Sequence, residues 1–242
     1  VKTLLLLFSA LKLGKVLTTG GTMLISVFAY GLVFGLPYAI GIVLLIFVHE
    51  MGHYIAARQR GLAVGAPTFI PFIGAWIELK DLPHDAETEA YVGMAGPLVG
   101  SIGALVVYYL GRNYDSDLLI ALAYSGFFLN LFNLIPLAPF DGGRITAVIS
   151  PKLWLIGAPI LVASFFYLKS PLLILMAILA LPHVIAAVRG RRPHGDGSEE
   201  AAAAYYSASA ETRLTYGLAY LALAVFLAAM AHGVHEELGA TY

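Results

Sequence analysis

The chain has 242 residues, of which 60% are hydrophobic and 12% charged, with a formal net charge of −1 and a mean hydropathy of +0.83. Soluble domains carry about a quarter of their residues as Asp, Glu, Lys or Arg, so half that share excludes a soluble enzyme and a disordered chain. With no cysteine there is no disulfide scaffold and no thiolate metal site, and the near-neutral balance gives no reason to expect nucleic acid as a partner.

What composition leaves is an all-α membrane protein, a polytopic bundle of about six or seven transmembrane helices in a lipid bilayer. Residues 1–19 hold a short apolar run, Leu4 to Phe8, among Lys2, Lys12 and Lys15. No small-residue cleavage site follows, and the segment reads as an interfacial helix lying on the bilayer. Apolar stretches then fall at 22–35, 37–58, 90–110, 118–138, 153–168, 171–188 and 214–231. Between the second and third lies a mixed segment, Leu62 to Lys80, with Pro67, Pro71 and Gly74. Its Thr68-Phe69-Ile70 and Trp76-Ile77-Glu78-Leu79 runs look like short strands, either a plain connection or an edge able to pair with an extended peptide. Residues 189–213 turn polar and read as a loop. A cytoplasmic N-terminus puts twelve of the fourteen Lys and Arg residues inside, leaving Arg112 and Lys169 outside. The expected location is the cell membrane, in a multi-pass arrangement.

Ionisable residues within a span are costly and point to function. The second span ends in His49-Glu50-Met51-Gly52-His53, an H-E-x-x-H pattern. Four residues apart on a helix, the two imidazoles share one face and can bind one Zn²⁺, with Glu50 placed as a base for a metal-activated water. If the helix leaves the bilayer near Gln59, His53 lies about 9 Å and His49 about 15 Å inside the boundary, at 1.5 Å per residue. The metal would then sit in the cytoplasmic half of the bilayer. A catalytic zinc takes a third protein ligand. The fourth span offers one: Asn130 and Asn133 interrupt it, Pro136 and Pro139 prevent a regular helix, and Asp141-Gly142-Gly143-Arg144 follows. An aspartate just after such a break can turn back towards the histidines.

Other polar residues carry less. Gly93, Gly96, Gly100 and Gly103 form a small-residue stripe down the third span, expected to serve packing rather than chemistry. His232, His235, Glu236 and Glu237 are expected to be solvated helix-end polarity, and His183 to satisfy itself by an interhelical hydrogen bond. Arg189, Arg191 and Arg192 read as a topology determinant able to contact anionic lipid.

The pairing of H-E-x-x-H with Asn133-Leu-Ile-Pro136-Leu-Ala-Pro-Phe-Asp141-Gly142 resembles the site-2 protease family of intramembrane zinc metalloproteases. Ala57, Gly61, Pro71-Phe-Ile-Gly-Ala and Ala95-Gly96-Pro97 extend the likeness over about residues 20–150. The resemblance implies a catalytic membrane core over 20–150, and the apolar stretches beyond it make 151–242 C-terminal transmembrane helices that carry the 189–213 loop. It implies one Zn²⁺ per chain on His49, His53 and Asp141, Glu50 as catalytic base and a role near the active site for Asn133. No PDZ or CBS domain of the kind the family often carries is expected in these residues. The implied activity is hydrolysis of peptide bonds within transmembrane segments of other membrane proteins, as in regulated intramembrane proteolysis. A metal ion transporter using His49, His53 and Asp141 as its transport site is the alternative; it gives Glu50 no task.

Overall fold

Gly35 separates the first two helices. Its φ of +83° lies in the left-handed region that favours glycine, and Pro37 then occupies the first turn of the next helix, where its missing N–H is harmless. The computed structural model describes residues 2–77, 83–189 and 198–240. Around Gly35 it forms α1 (Lys2–Phe34) and α2 (Leu36–Gln59). α1 passes residue 19 without a break, so the expected interfacial piece and first span form one helix. After α2 comes a hairpin of β1 (Thr68–Ile70) and β2 (Gly74–Trp76), antiparallel, with Phe69 opposite Ala75. β1 lies where the sequence puts it. β2 falls two residues before the expected Trp76–Leu79 run, because Phe72 and Gly74 both take positive φ and close the turn early. Glu78 and Leu79 of that run lie outside the described residues, as do Lys80, Arg191 and Arg192.

The Asp85 carboxylate accepts the Thr88 N–H at 2.6 Å and starts α3 (Ala86–Asn113). Ser116 caps α4 (Asp117–Asn133) in the same way. α4 stops five residues short of the expected 138, since Pro136 and Pro139 have no N–H to continue the ladder. Residues 134–140 turn instead, through a cis Ala138–Pro139 bond and short contacts such as the Phe140 N–H to the Leu137 carbonyl at 2.9 Å. α5 (Asp141–Ile149) follows, then a 3₁₀ turn at Pro151–Leu153, α6 (Trp154–Leu168) and α7 (Pro171–Val188). The polar 189–213 stretch is not a plain loop. It holds α8 (Glu199–Tyr205), whose Tyr205 is buried together with its neighbour Tyr206, and leads into α9 (Ala210–Ala240).

Six of these helices are long and apolar enough to cross a membrane, and α4 is a shorter apolar helix; the chain is a multi-pass membrane protein. Burial separates them. In α2, 56% of the most apolar window is buried, against 6% in α1, so α2 is the inner helix and α1 a peripheral one. α3 packs against α2, α4 and α5, and α9 closes on α4 and α5. At the end of α9, Glu237 pairs with Arg112 at 2.7 Å and accepts from Tyr108. His232 lies exposed beside Glu236 and His235 stacks on Tyr124. His183 departs from expectation: its buried Nδ1 has no hydrogen-bond partner among the described residues. Its ring instead meets Trp154 edge-on at 5.2 Å, because the neighbouring α6 offers an aromatic face there rather than an acceptor.

Phe127 sits fully buried where α4 meets both α9 and α3, edge-on to Phe226 at 6.3 Å and to Tyr108 at 6.4 Å. Phe127→Ala is expected to lower stability by about 3–5 kcal/mol through the cavity it opens. Titration of the micelle-bound protein with a denaturing detergent measures it. A loss under about 1 kcal/mol would mean that α9 is not seated on α4 there.

Candidate metal centre

His49, Glu50 and His53 are all buried in the last turns of α2. A membrane helix tolerates them because α2 is the inner helix, so its polar residues face protein and not lipid. The ligand atoms of these three residues lie within 4.8 Å of one another. Asp141, the first residue of α5, comes to the same point: its Oδ2 stands 3.2 Å from His49 Nε2 and 3.3 Å from His53 Nε2. The two Nε2 atoms are 3.1 Å apart. Three atoms from two distant chain segments therefore mark one centre.

The protonation of the imidazoles follows from their other nitrogens. Asn130 donates its Nδ2–H to the Gly126 carbonyl at 2.7 Å, which turns its Oδ1 towards His49 Nδ1 at 2.8 Å. An amide oxygen only accepts, so His49 Nδ1 carries the hydrogen. His53 Nδ1 likewise donates to the Val92 carbonyl at 2.8 Å. Both Nε2 atoms then present lone pairs, and a carboxylate oxygen faces them. Three acceptors this close repel one another unless a cation lies among them. Zinc bonds of about 2.0–2.2 Å in a tetrahedron set ligand atoms about 3.3–3.5 Å apart, close to the spacing here. The donor set fits a zinc ion held by His49, His53 and Asp141. Glu50 lies beside them, buried in the same turn of α2.

The glycines of α3 make room for this arrangement. A Cβ on Gly96 would stand 2.2 Å from His53 Nε2, and one on Gly100 would stand 2.2 Å from Asn130 Oδ1. The stripe does serve packing, as the sequence suggests, and at Gly96 and Gly100 what it packs against is the His53 ring and the Asn130 amide, while Gly103 packs on Val48.

His49, Glu50, His53, Asn133 and Asp141 all line one cavity of about 740 Å³. Its apolar wall includes Phe72, Trp76, Phe128, Phe132 and Met176. Asn133 faces this space from the end of α4, and its amide donates to the Leu129 carbonyl at 3.1 Å, within its own helix. It does not touch the imidazoles. Asn130, one turn earlier, does. Sequence reasoning saw Asn130 only as an interruption of a span; the available signal was that it lies one turn before Asn133, on a similar face of α4.

Gly96→Ala is expected to displace the His53 ring and Asn130→Ala to release the His49 tautomer, each lowering zinc affinity by about 10–100-fold. Zinc content of the purified chain after dialysis against graded chelator measures both. Retention equal to wild type in both variants would show that neither contact shapes the centre.

Residues 37–116, from the start of α2 to the end of α3, match the model of a family described as Peptidase family M50. The chain is 33% identical over 112 residues to zinc metalloprotease MJ0392 of Methanocaldococcus jannaschii, covering 44% of this chain and 32% of that protein. It is 25% identical over 155 residues to the probable chloroplastic zinc metalloprotease EGY2 of Arabidopsis thaliana, covering 46% of this chain and 28% of that one. The matched part is thus about a third of the length of these relatives. A solved structure of the site-2 protease from Methanocaldococcus jannaschii is 24% identical, with a TM-score of 0.45, over 72% of this chain and 88% of that one. The resemblance is borne out where the first motif lies: over residues 37–116, which contain His49, Glu50 and His53, the chain matches Peptidase family M50.

Proposed function

We propose that the chain is a zinc metalloendopeptidase that hydrolyses peptide bonds within transmembrane segments of other membrane proteins, as in regulated intramembrane proteolysis. The observation that carries this reading is the convergence of His49 Nε2, His53 Nε2 and Asp141 Oδ2 at 3.1 to 3.3 Å, with Glu50 beside them in the same cavity. His49, His53 and Asp141 hold one zinc ion. A zinc ion bound there would supply Lewis-acid chemistry, polarising the scissile carbonyl and lowering the pKa of a water so that it can give up its proton and attack. Glu50 takes the proton of that water on its carboxylate and returns it to the departing amine nitrogen. Asn133 donates its amide N–H to the carbonyl oxygen as negative charge grows there, exchanging its present bond to the Leu129 carbonyl. A transport site needs ligands but no base, so the metal transporter reading leaves Glu50 unexplained.

A helix shields its own amides, so the substrate must be extended where it is cut. β2 supports this, since Gly74, Ala75 and Trp76 line the cavity and an edge strand can hydrogen-bond an extended peptide. Away from His49, Glu50, His53, Asn133, Asp141 and Arg144 the cavity wall is mostly apolar, which suits a segment drawn from a bilayer.

Three variants separate the roles. Glu50→Gln is expected to keep zinc and to lose about 10²–10⁴-fold in cleavage of a membrane substrate. Asp141→Ala should lose zinc affinity along with activity. Asn133→Ala should retain zinc and slow cleavage by about 10²–10³-fold. Zinc content measured beside cleavage rate reads all three. Rapid hydrolysis by Glu50→Gln would sink the mechanism, and undiminished zinc in Asp141→Ala would remove it from the ligand set.

The centre is further proposed to lie in the cytoplasmic half of the bilayer, from the bias of Lys and Arg along the sequence. Ser198 at the start of α8 is exposed, and the chain has no native cysteine. In Ser198→Cys, an impermeant thiol reagent is expected to label only after the cells are opened. Labelling of intact cells would reverse the orientation.

A further inference from the structure

Asp141 uses one oxygen, Oδ2, towards the imidazoles. Its Oδ1 faces the Arg144 guanidinium, with Nη1 at 3.9 Å. Arg144 in turn sets its Nε 3.6 Å from Glu89 Oε1 on α3. The second oxygen of Glu89 accepts the Tyr205 hydroxyl at 2.6 Å. Tyr205 is buried, with its ring edge-on to Tyr206 at 5.0 Å and packed in one cluster with Ala86 and Ala90 of α3. Arg213 holds this stretch down by donating to the Tyr206 and Ala208 carbonyls at 3.1 and 3.2 Å and to the Ile149 carbonyl at the end of α5. A line of contacts therefore runs from α8, far outside residues 37–116, to the carboxylate at the metal centre.

We propose that Arg144 is a positioning residue for Asp141, and that Tyr205 acts on the metal centre through Glu89 and Arg144. The inference rests on the reading of Asp141 as a zinc ligand. A carboxylate that offers one oxygen to a metal still rotates about its Cβ–Cγ bond unless its other oxygen is held, and Arg144 is the cation that faces it. A long arginine side chain is itself mobile unless anchored. Here one edge of the guanidinium faces Asp141 while its Nε faces Glu89, a two-sided geometry that a lysine ammonium on a single stem does not reproduce. Tyr205 fixes the rotation of Glu89 by occupying its second oxygen. Partners of this kind, one step removed from a metal, orient the ligands and tune affinity.

The test is the dissociation constant for Zn²⁺ alone, measured by competition with a chromophoric chelator on the full chain in detergent micelles. Melting of the zinc-stripped protein is measured alongside. Arg144→Gln is expected to weaken zinc binding by about 10–100-fold, and Glu89→Gln by a similar factor. Arg144→Lys should recover only part of it. Tyr205→Phe, which keeps the ring and removes the hydroxyl, should weaken binding by roughly threefold to tenfold, below the range for a direct partner because it acts two contacts away. The double variant Tyr205→Phe with Arg144→Gln should bind no more weakly than Arg144→Gln alone, because the hydroxyl acts through the arginine. Wild-type zinc affinity in folded Arg144→Gln would overturn the inference, and so would losses that simply add in the double variant. A Tyr205→Phe protein that melts earlier when zinc-stripped, yet binds zinc as wild type, would reduce Tyr205 to a structural role and also overturn it. His49→Ala is the control for the underlying reading: zinc binding as tight as wild type there would sink the metalloprotease assignment itself, and this inference with it.

Discussion

An imidazole buried in an apolar bundle can aim a lone pair at a fixed point only if its other nitrogen is held by an acceptor. Everything at this centre depends on that constraint. The Asn130 amide and the Val92 carbonyl hold the two Nδ1 hydrogens, which directs both Nε2 lone pairs towards Asp141 Oδ2. Asn130 can do this only because Gly126 turns its amide, and Val92 only because α3 lies close against α2. That closeness comes from Gly96, where any side chain would occupy the space of the His53 ring, and from Gly52 of α2, where one would meet the Ala95 carbonyl, while Gly100 leaves room for the Asn130 amide on α4. The helix with no charged group at the centre thus determines its geometry.

The place of Asp141 depends on a different feature, the end of α4 at Asn133. Leu134 to Phe140 leave the helix where Pro136 and Pro139 fall within four residues of each other, and their backbone groups need other partners inside an apolar bundle. Some are met within the turn, as in the Leu137 N–H to the Ile135 carbonyl at 2.7 Å. Others are met from outside it: the Tyr220 hydroxyl of α9 donates to the Leu134 carbonyl at 2.6 Å. The break is therefore supported by the C-terminal helices, beyond the part of the chain that carries the motifs. Its product is the start of α5 with Asp141 directed back at α2. In the same helix, the Gly143 carbonyl accepts from Trp154 Nε1 at 2.9 Å, which ties the first turn of α5 to α6.

The parts of the site legible in the sequence were those that depend on local geometry. Spacing along one helix predicts that His49 and His53 share a face, and prolines after Asn133 predict where a helix must stop. Asp141 could be named because it follows that stop directly. Asn130 could not be singled out as the partner of His49, since which atom of α4 meets α2 is a matter of how two helices pack. The glycine stripe announced close approach but not what would approach. For the same reason α8 was hidden: a short run of Glu, Ala and Tyr in a polar stretch has no period long enough to mark a helix, and Tyr205 gains its place only by meeting Glu89. His183 shows the limit in the other direction, since a lone polar residue on an apolar helix does not reveal whether its neighbour offers an acceptor or a ring.

The walls of the cavity are unequal, and this follows from the same division of labour. The ligand-bearing wall is α2 and the turn into α5, inner elements held from several sides. The opposite wall is built from Tyr30 of α1, the β1–β2 hairpin and the Leu172, Leu175, Met176 and Leu179 side of α7. Those elements are peripheral: only 6% of the α1 window and 17% of the α7 window is buried. The hairpin is tied to α1, with Thr19 donating to the Pro67 carbonyl at 2.7 Å and Thr22 accepting from the Phe69 N–H at 3.2 Å. Local opening costs least where few apolar contacts are lost. The three converging atoms thus sit on the better-held side of the cavity, and the apolar lining is the side where opening costs least.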